Sequence, residues 1–258
     1  MSMSHADADL GRILAEITEE AAALILPLWR SGLTVHTKGD ESPVTEADRR
    51  GETLILERLA QRFPGVHVIS EEDASEFGTP DEIGRTFFLV DPLDGTKAFI
   101  RGDAHFTVNI GLIEAGRPVA GAVSAPAMGR SWFTTPGGAV RRELAGPDEA
   151  IRVRAWPKGE AVALVSHTLK PEYAQALEDR YGFNHKQPMD SSMKLCIIAE
   201  GSADIYPRHG TTMEWDIAAG HAVLEAAGGS LLTLEGEPFA YGKAAEGFKN
   251  GWFVARGG

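Results

Sequence analysis

Phe87-Phe88-Leu89-Val90-Asp91-Pro92-Leu93-Asp94-Gly95-Thr96 is the stretch on which the reading of this chain turns. Its apolar run, rich in aromatic and β-branched residues, predicts a buried strand, and the strand ends in two acids, two turn formers and a hydroxyl. Open α/β sheets place ligands beyond the carboxyl ends of their strands, so the pattern predicts an α/β protein with a site at this turn. Asp91 and Asp94 are three residues apart, and carboxylates held so close repel unless a cation lies between them or one keeps its proton. A divalent metal resolves that conflict. The competing reading is a plain turn, since Asp, Pro and Gly all favour turns.

Working outward, Leu10, Ile13, Leu14, Ile17, Ala21, Leu24 and Leu28 recur at steps of three and four, the face of a long amphipathic helix ended by Gly32. A second helix starts near Pro43-Val44-Thr45, buries Leu54, Ile55, Leu59 and Phe63, and stops before Pro64-Gly65. Strands are expected at 66–70, 86–90 and 106–113; the last alternates Phe106, Val108, Ile110 and Leu112 with Thr107, Asn109 and Gly111, the period of a half-buried strand. Segments 118–124 and 131–134 extend that sheet. Gly146-Pro147-Asp148-Glu149 is the expected boundary between two subdomains, 1–146 and 147–258. Beyond it come a strand at 161–165, helices at 171–181 and 191–200, a strand at 203–206, a helix at 216–227 and a strand at 230–234. The order is thus two helices and a run of strands, then alternating helices and strands, which suggests a layered α/β protein of two subdomains.

Lys and Arg total 25 against 37 Asp and Glu, a formal charge of −12. Such a chain disfavours nonspecific binding to nucleic acid or an anionic membrane, so an anionic substrate requires a local reversal of the field. One cysteine, Cys196, excludes an intrachain disulfide, and no Cys/His cluster has zinc spacing; a reduced, cytoplasmic protein with oxygen ligands for any metal is expected. The opening residues 1–7 do not resemble a signal peptide. The longest apolar run, Ala21 to Trp29, is far short of the ~20 residues that span a bilayer.

Further acids stand near strand and helix ends. Glu71 and Glu72 follow the strand at 66–70, and Asp216 follows Trp215. Hard cations such as Mg2+ take oxygen ligands and complete their shells with water and substrate phosphate. Each acid also has a plainer reading, Glu71 and Glu72 as a solvated loop and Asp216 as an N-cap. Thr45-Glu46-Ala47-Asp48 fits a capping box, and Gly95-Thr96-Lys97 could offer backbone N–H groups to a phosphate at a helix start. Ser191-Ser192-Met193-Lys194 reads as a cap with a solvated lysine, Arg208 as a surface charge, and Cys196 as a packed residue.

Taken in order, these segments resemble the lithium-sensitive, magnesium-dependent phosphomonoesterases, the superfamily of inositol monophosphatase and fructose-1,6-bisphosphatase, and within it the bacterial 3'(2'),5'-bisphosphate nucleotidases. The matching stretches are Ser42 through Asp48, Ser70-Glu71-Glu72-Asp73, Leu89 to Lys97, Phe106 to Ile110, Ser191 to Lys194, Ala199-Glu200-Gly201, Tyr206-Pro207-Arg208 and Trp215-Asp216 through Ala222. The resemblance implies an αβαβα layered sandwich in which an N-terminal α+β half abuts a C-terminal α/β half, with the site at their junction. It implies two or three Mg2+ ions held by Glu71, Asp91, the Leu93 carbonyl, Asp94 and Asp216. Glu71, Thr96 and Asp48 would be catalytic, with Thr96 and Asp48 orienting the attacking water. Gly95 and Thr96 amides would hold the scissile phosphate, and Ser192, Lys194 and Arg208 would meet the nucleotide. The implied reaction removes the 3'-phosphate from adenosine 3',5'-bisphosphate or its sulfated form; the alternatives are an inositol- or sugar-phosphate phosphatase and a noncatalytic phosphate-binding regulator. The resemblance allows a homodimer. Two departures stand out: Ala98 where relatives carry glutamate, and Leu164-Val165-Ser166-His167 where they carry Ser-Arg-Ser-His.

Overall fold

The computed structural model describes residues 9–32, 35–37, 43–80, 82–144, 146–157, 159–167 and 169–258. Residues 1–7 and Ser42, which figured in the sequence reading, lie outside the described residues. The first half runs α1 (Leu10–Ile25), β1 (His36–Thr37), β2 (Pro43–Val44), α2 (Glu46–Arg62), β3 (His67–Ser70), α3 (Glu71–Phe77), β4 (Thr86–Asp94) and α4 (Thr96–Arg101). It continues through β5 (Thr107–Glu114), β6 (Arg117–Ala125), β7 (Arg130–Thr135), β8 (Gly138–Glu143) and β9 (Asp148–Ile151). The second half contributes β10 (Val162–Val165), α5 (Pro171–Tyr181), β11 (His185–Pro188), α6 (Met193–Ala199), β12 (Ile205–Arg208), α7 (Glu214–Ala226), β13 (Ser230–Thr233) and β14 (Phe253–Arg256).

Strands β3 to β9 form a seven-stranded sheet in sequence order, antiparallel except for the parallel pair β3 and β4. The second sheet has the order β11-β10-β12-β14-β13, parallel on the β11 side and antiparallel on the β13 side. Helices α1 and α2 cover one face of the large sheet, α6 and α7 fill the space between the sheets, and α5 packs through Leu177 on the far face of the small one. This is the expected αβαβα sandwich. Among the described residues, no helix is long and apolar enough to cross a membrane.

Several boundaries differ from the sequence reading. The first helix ends at Ile25, and Pro27 turns the chain through a short 3-10 segment before Gly32 is reached. The expected division at Gly146-Pro147 precedes β9, which pairs with β8, so the chain leaves the first sheet between Ile151 and Val162. Glu71 and Glu72 open a helix rather than a loop, and α7 begins at Glu214, placing Asp216 inside its first turn. Strands β8, β9, β11 and β14 have too little alternation to be read from the sequence.

The alternation in β5 misleads for a physical reason. Every residue from Thr107 to Ile113 is buried, because the face carrying Thr107, Asn109 and Gly111 lies under α7 and Ser192, just before α6, instead of water. Gly111 and Gly121 let α7 approach the sheet; a Cβ at Gly121 would stand 2.5 Å from the Ala219 carbonyl oxygen and 2.9 Å from the Ala222 Cβ. Backbone cannot yield as a flexible side chain would. Gly121→Ala is therefore expected to destabilise by about 1–3 kcal/mol, lowering the melting temperature by roughly 2–10 °C. An unchanged melting curve would show that the helix and sheet are not in close contact here.

Candidate active site

Parallel pairing of β3 with β4 sets Ser70 beside Val90, so Glu71 and Asp91 emerge together at one end of the sheet. The pairing of β4 with β5 is regular to Asp91↔Asn109, breaks, and resumes at Asp94↔Thr107. Pro92 has no N–H for the ladder, and the resulting irregularity bends the chain around the cleft. The Asp91 carboxylate accepts from the Leu93 N–H at 3.0 Å, closing this turn. Gly95 then turns left-handed, with φ of 93°, and a Cβ there would meet the His105 carbonyl at 2.7 Å; only glycine fits. Thr96 starts α4.

The cleft, about 1120 Å³, is lined from the first half by Glu71, Asp91, Leu93, Asp94, Gly95 and Thr96 and from the second by Ser192, Lys194, Arg208 and Asp216. Ten of the eleven residues expected at the site thus face one cavity. Asp48, the eleventh, lies behind Thr96. One Asp48 oxygen accepts from the Thr45 N–H and hydroxyl, each at 2.7 Å, while the other lies 3.1 Å from the Thr96 hydroxyl. The capping box is therefore formed, and the same carboxylate also reaches Thr96. The Thr96 hydroxyl has a single proton and a second acceptor, the Leu93 carbonyl, at 3.1 Å.

Three carboxylates are fixed by backbone amides at one oxygen each: Asp91 by Leu93, Asp94 by Ser192 and Asp216 by Met213 at 2.8 Å. The amides orient these groups without adding a formal positive charge. Burial pushes the Asp91 carboxyl well above the usual range, reinforced by Glu71, Asp94 and Asp216. Asp216 moves the same way, through burial and then Asp94 and Glu71. Asp94 is pushed up to about 6 by burial, with Lys194 and the Ser192 amide opposing the shift. A set of buried, mutually repelling carboxylates suits a hard divalent cation. Among the described residues, no three His, Cys, Asp or Glu side chains are placed so that they could hold a metal ion by themselves. A Mg2+ ion here would have to complete its shell with backbone, water and substrate oxygens, as that ion usually does.

The residues expected to meet substrate differ in their surroundings. Ser192 is buried; its hydroxyl lies 2.8 Å from the Asn109 Oδ1 and 2.9 Å from the Thr107 hydroxyl, so it joins α6 to β5. Lys194 is also buried, donates to the Met189 and Ser191 carbonyls at 3.2 and 2.6 Å, and lies over the Tyr206 ring. Burial pushes its ammonium down to about 8, with Asp94 opposing. Arg208 is half-buried and gives one N–H to the Thr211 carbonyl at 3.1 Å.

Glu52 was not anticipated. Buried on α2, it accepts from the Glu72 and Asp73 N–H groups at 3.1 and 3.3 Å and so caps the helix that begins with Glu71. Its partners are 20 and 21 residues away, beyond any local pattern.

The raised Asp94 pKa fixes the sign of a pH effect. A carboxyl at about 6 in the folded chain and near 4 when unfolded holds its proton more tightly in the native state. Stability contributed in this way is present at low pH and falls as pH rises from about 4 through about 6, by a few kcal/mol at most. Without divalent cations, the melting temperature should fall between about pH 5 and 7.5, and added Mg2+ should raise it more at the higher pH. An equal Mg2+ effect at both values would count against this cluster as the cation site.

Comparison with known proteins agrees with this geometry. The 3'(2'),5'-bisphosphate nucleotidase CysQ of Escherichia coli K12 is 42% identical over 212 residues, covering 81% of this chain and 83% of that protein. A histidinol-phosphatase of Mycobacterium tuberculosis is 32% identical over 252 residues, covering 94% and 93%. The crystal structure of CysQ from Bacteroides thetaiotaomicron, described as a bacterial member of the inositol monophosphatase family, superposes with a TM-score of 0.75 at 31% identity over 95% of this chain and 96% of that one. The model of the inositol monophosphatase family matches residues 8–253. With its layered sandwich and its carboxylate-lined cleft between the two sheets, the chain belongs to the inositol monophosphatase family.

Proposed function

We propose that this chain is a 3'(2'),5'-bisphosphate nucleotidase that hydrolyses the 3'-phosphate of adenosine 3',5'-bisphosphate, and also of its sulfated form. The observation that carries the reading is the convergence of Glu71, Asp91, Asp94 and Asp216 on one cleft with Thr96 and Arg208. The 42% identity to CysQ nucleotidases supports the choice of substrate. A buried thiol at Cys196 and the lack of any other cysteine suit a reducing cytoplasm.

The family is metal-dependent, generally on Mg2+. In this reading Glu71, Asp91, Asp94, Asp216 and the Leu93 carbonyl would hold two or three such ions. Bound Mg2+ would polarise the phosphoryl group and lower the pKa of a coordinated water. The chain does the positioning. Asp48 accepts the Thr96 proton, leaving that hydroxyl's lone pairs to accept from the attacking water. First-turn amides at Gly95 and Thr96, unpaired within so short a helix, take the scissile phosphate. Arg208 adds positive charge that favours ionised Asp94 and Asp216, and Glu71 would act with Thr96 and Asp48 on the attacking water. Hydrolysis breaks the phosphorus bond to the 3'-oxygen, which leaves as the 3'-hydroxyl after gaining a proton, and yields inorganic phosphate.

Asp94→Asn keeps the side-chain volume and removes a charge, so turnover should collapse while circular dichroism remains that of the wild type. Thr96→Val should lower kcat by about 10²- to 10⁴-fold with little change in KM, since positioning of the water matters in the transition state. Wild-type turnover in either variant would sink the corresponding role.

Substrate identity is tested by a rate panel at fixed Mg2+. Adenosine 3',5'-bisphosphate should exceed inositol 1-phosphate and histidinol phosphate in kcat/KM. A preference for either of the latter would replace the nucleotidase reading with a different phosphatase of the same family, and no turnover of any phosphomonoester would favour a phosphate-binding regulator.

A further inference from the structure

Selectivity for a bisphosphate requires a group that touches the phosphate that is not being cleaved. Lys194 is poorly placed for it, being buried with its ammonium given to two carbonyl oxygens. The mouth of the cleft presents other cations. Lys97 and Arg101 are exposed, line the cleft, and stand four residues apart on α4, which places them on one face one turn apart. Lys97 adjoins Thr96 and the expected scissile phosphate. Arg101 lies a further turn outward, about 6 Å along the helix axis, a spacing of the order of that between phosphates on the 3' and 5' positions of one ribose.

The Arg101 side chain already reaches across the opening. Its guanidinium meets Asp103 at 3.0 Å on its own side and Asp190 at 2.8 Å on the other half of the molecule. Asp190 also lines the cleft and lies 4.0 Å from the His167 Nε2, in the segment where this chain departs from its relatives. We propose that Arg101 receives the second, uncleaved phosphate of the substrate, and that Asp190 occupies the guanidinium until that phosphate arrives. This assignment rests on the nucleotidase reading.

The exchange is favourable on physical grounds. Arg101 is 51% exposed and Asp190 24%, and so open an ion pair is weakened by solvent and by the cost of ordering two side chains. A phosphate carries more charge than a carboxylate and offers three oxygens to a planar fork that can bind two of them at once. A monophosphate held at the start of α4 offers Arg101 nothing, and the pair with Asp190 persists. Discrimination then arises because the bisphosphate alone displaces Asp190, which is left with water and His167.

Steady-state kinetics of the wild type, Arg101→Ala, Arg101→Lys and Asp190→Asn on adenosine 3',5'-bisphosphate and adenosine 3'-monophosphate test the assignment. In Arg101→Ala, the KM for the bisphosphate should rise about tenfold relative to that for the monophosphate, with the ratio of the two kcat values held. Arg101→Lys keeps the charge without the fork and should fall between the wild type and alanine. Asp190→Asn removes the competing carboxylate and should lower the relative KM for the bisphosphate by a few-fold. Equal KM changes for both substrates in Arg101→Ala, or none, would overturn the role of Arg101. A wild-type preference for the bisphosphate that survives in Arg101→Ala fails this inference alone, whereas a wild type with no such preference fails the nucleotidase reading and this inference with it.

Discussion

Electrostatic repulsion among buried carboxylates is the constraint around which this molecule is arranged. Asp91, Asp94 and Asp216 are held where burial and one another's charge disfavour ionisation, with Glu71 adding to the field. Left to itself, such a cluster would spread apart or take up protons. It is kept together by backbone amides that bind one oxygen of each aspartate, and these come from three separate places: the β4 turn, the start of α6 and the start of α7. The fold thus holds acids near one another where a divalent cation would relieve their repulsion, and through such a cation a chain of net charge −12 would gain a place to bind an anion.

The two halves are joined by the same residues that shape the cleft. Ser192 donates its amide N–H to Asp94 and its hydroxyl to the Asn109 Oδ1 while accepting from the Thr107 hydroxyl, so the start of α6 is tied to both β4 and β5. On the other side, α7 settles against Gly111 and Gly121 and brings Asp216 toward β4. Glu214, fully buried in the first turn of α7, accepts from the Gly242 and Lys243 amides at 2.8 and 3.0 Å and pairs with the Lys243 ammonium at 2.7 Å. That neutralised contact anchors the helix end beside Asp216 without adding another unpaired charge. Alignment of the site and packing of the sandwich are therefore one problem, solved by shared contacts.

Positive charge in the cleft is layered by depth. Lys194 sits deepest and is absorbed in holding the loop before α6, Arg208 is intermediate, and Lys97 and Arg101 stand at the mouth. A buried ammonium loses hydration and must spend its hydrogen bonds on nearby carbonyls, whereas an exposed guanidinium can exchange partners at little cost. Depth, more than residue type, separates groups that build the site from those able to respond to what enters it.

The amino-acid sequence by itself determined the strand ending in Asp91 and Asp94, the capping box at Thr45 and the helical stripe of α1, because each is written in neighbouring residues. Periodicity reports which residues are apolar, but not what lies over each face. For that reason β5 reads as half-buried when both its faces are covered, and Lys194 reads as a solvated charge when it is buried with its ammonium on two carbonyl oxygens. Only the tertiary structure decided that Glu52 caps the helix carrying Glu71, that Asp48 serves Thr45 and Thr96 together, and that Arg101 meets Asp190 from 89 residues away. These contacts join elements distant in sequence, and the sheet pairings and helix layers that bring them within hydrogen-bond distance leave no trace in local pattern.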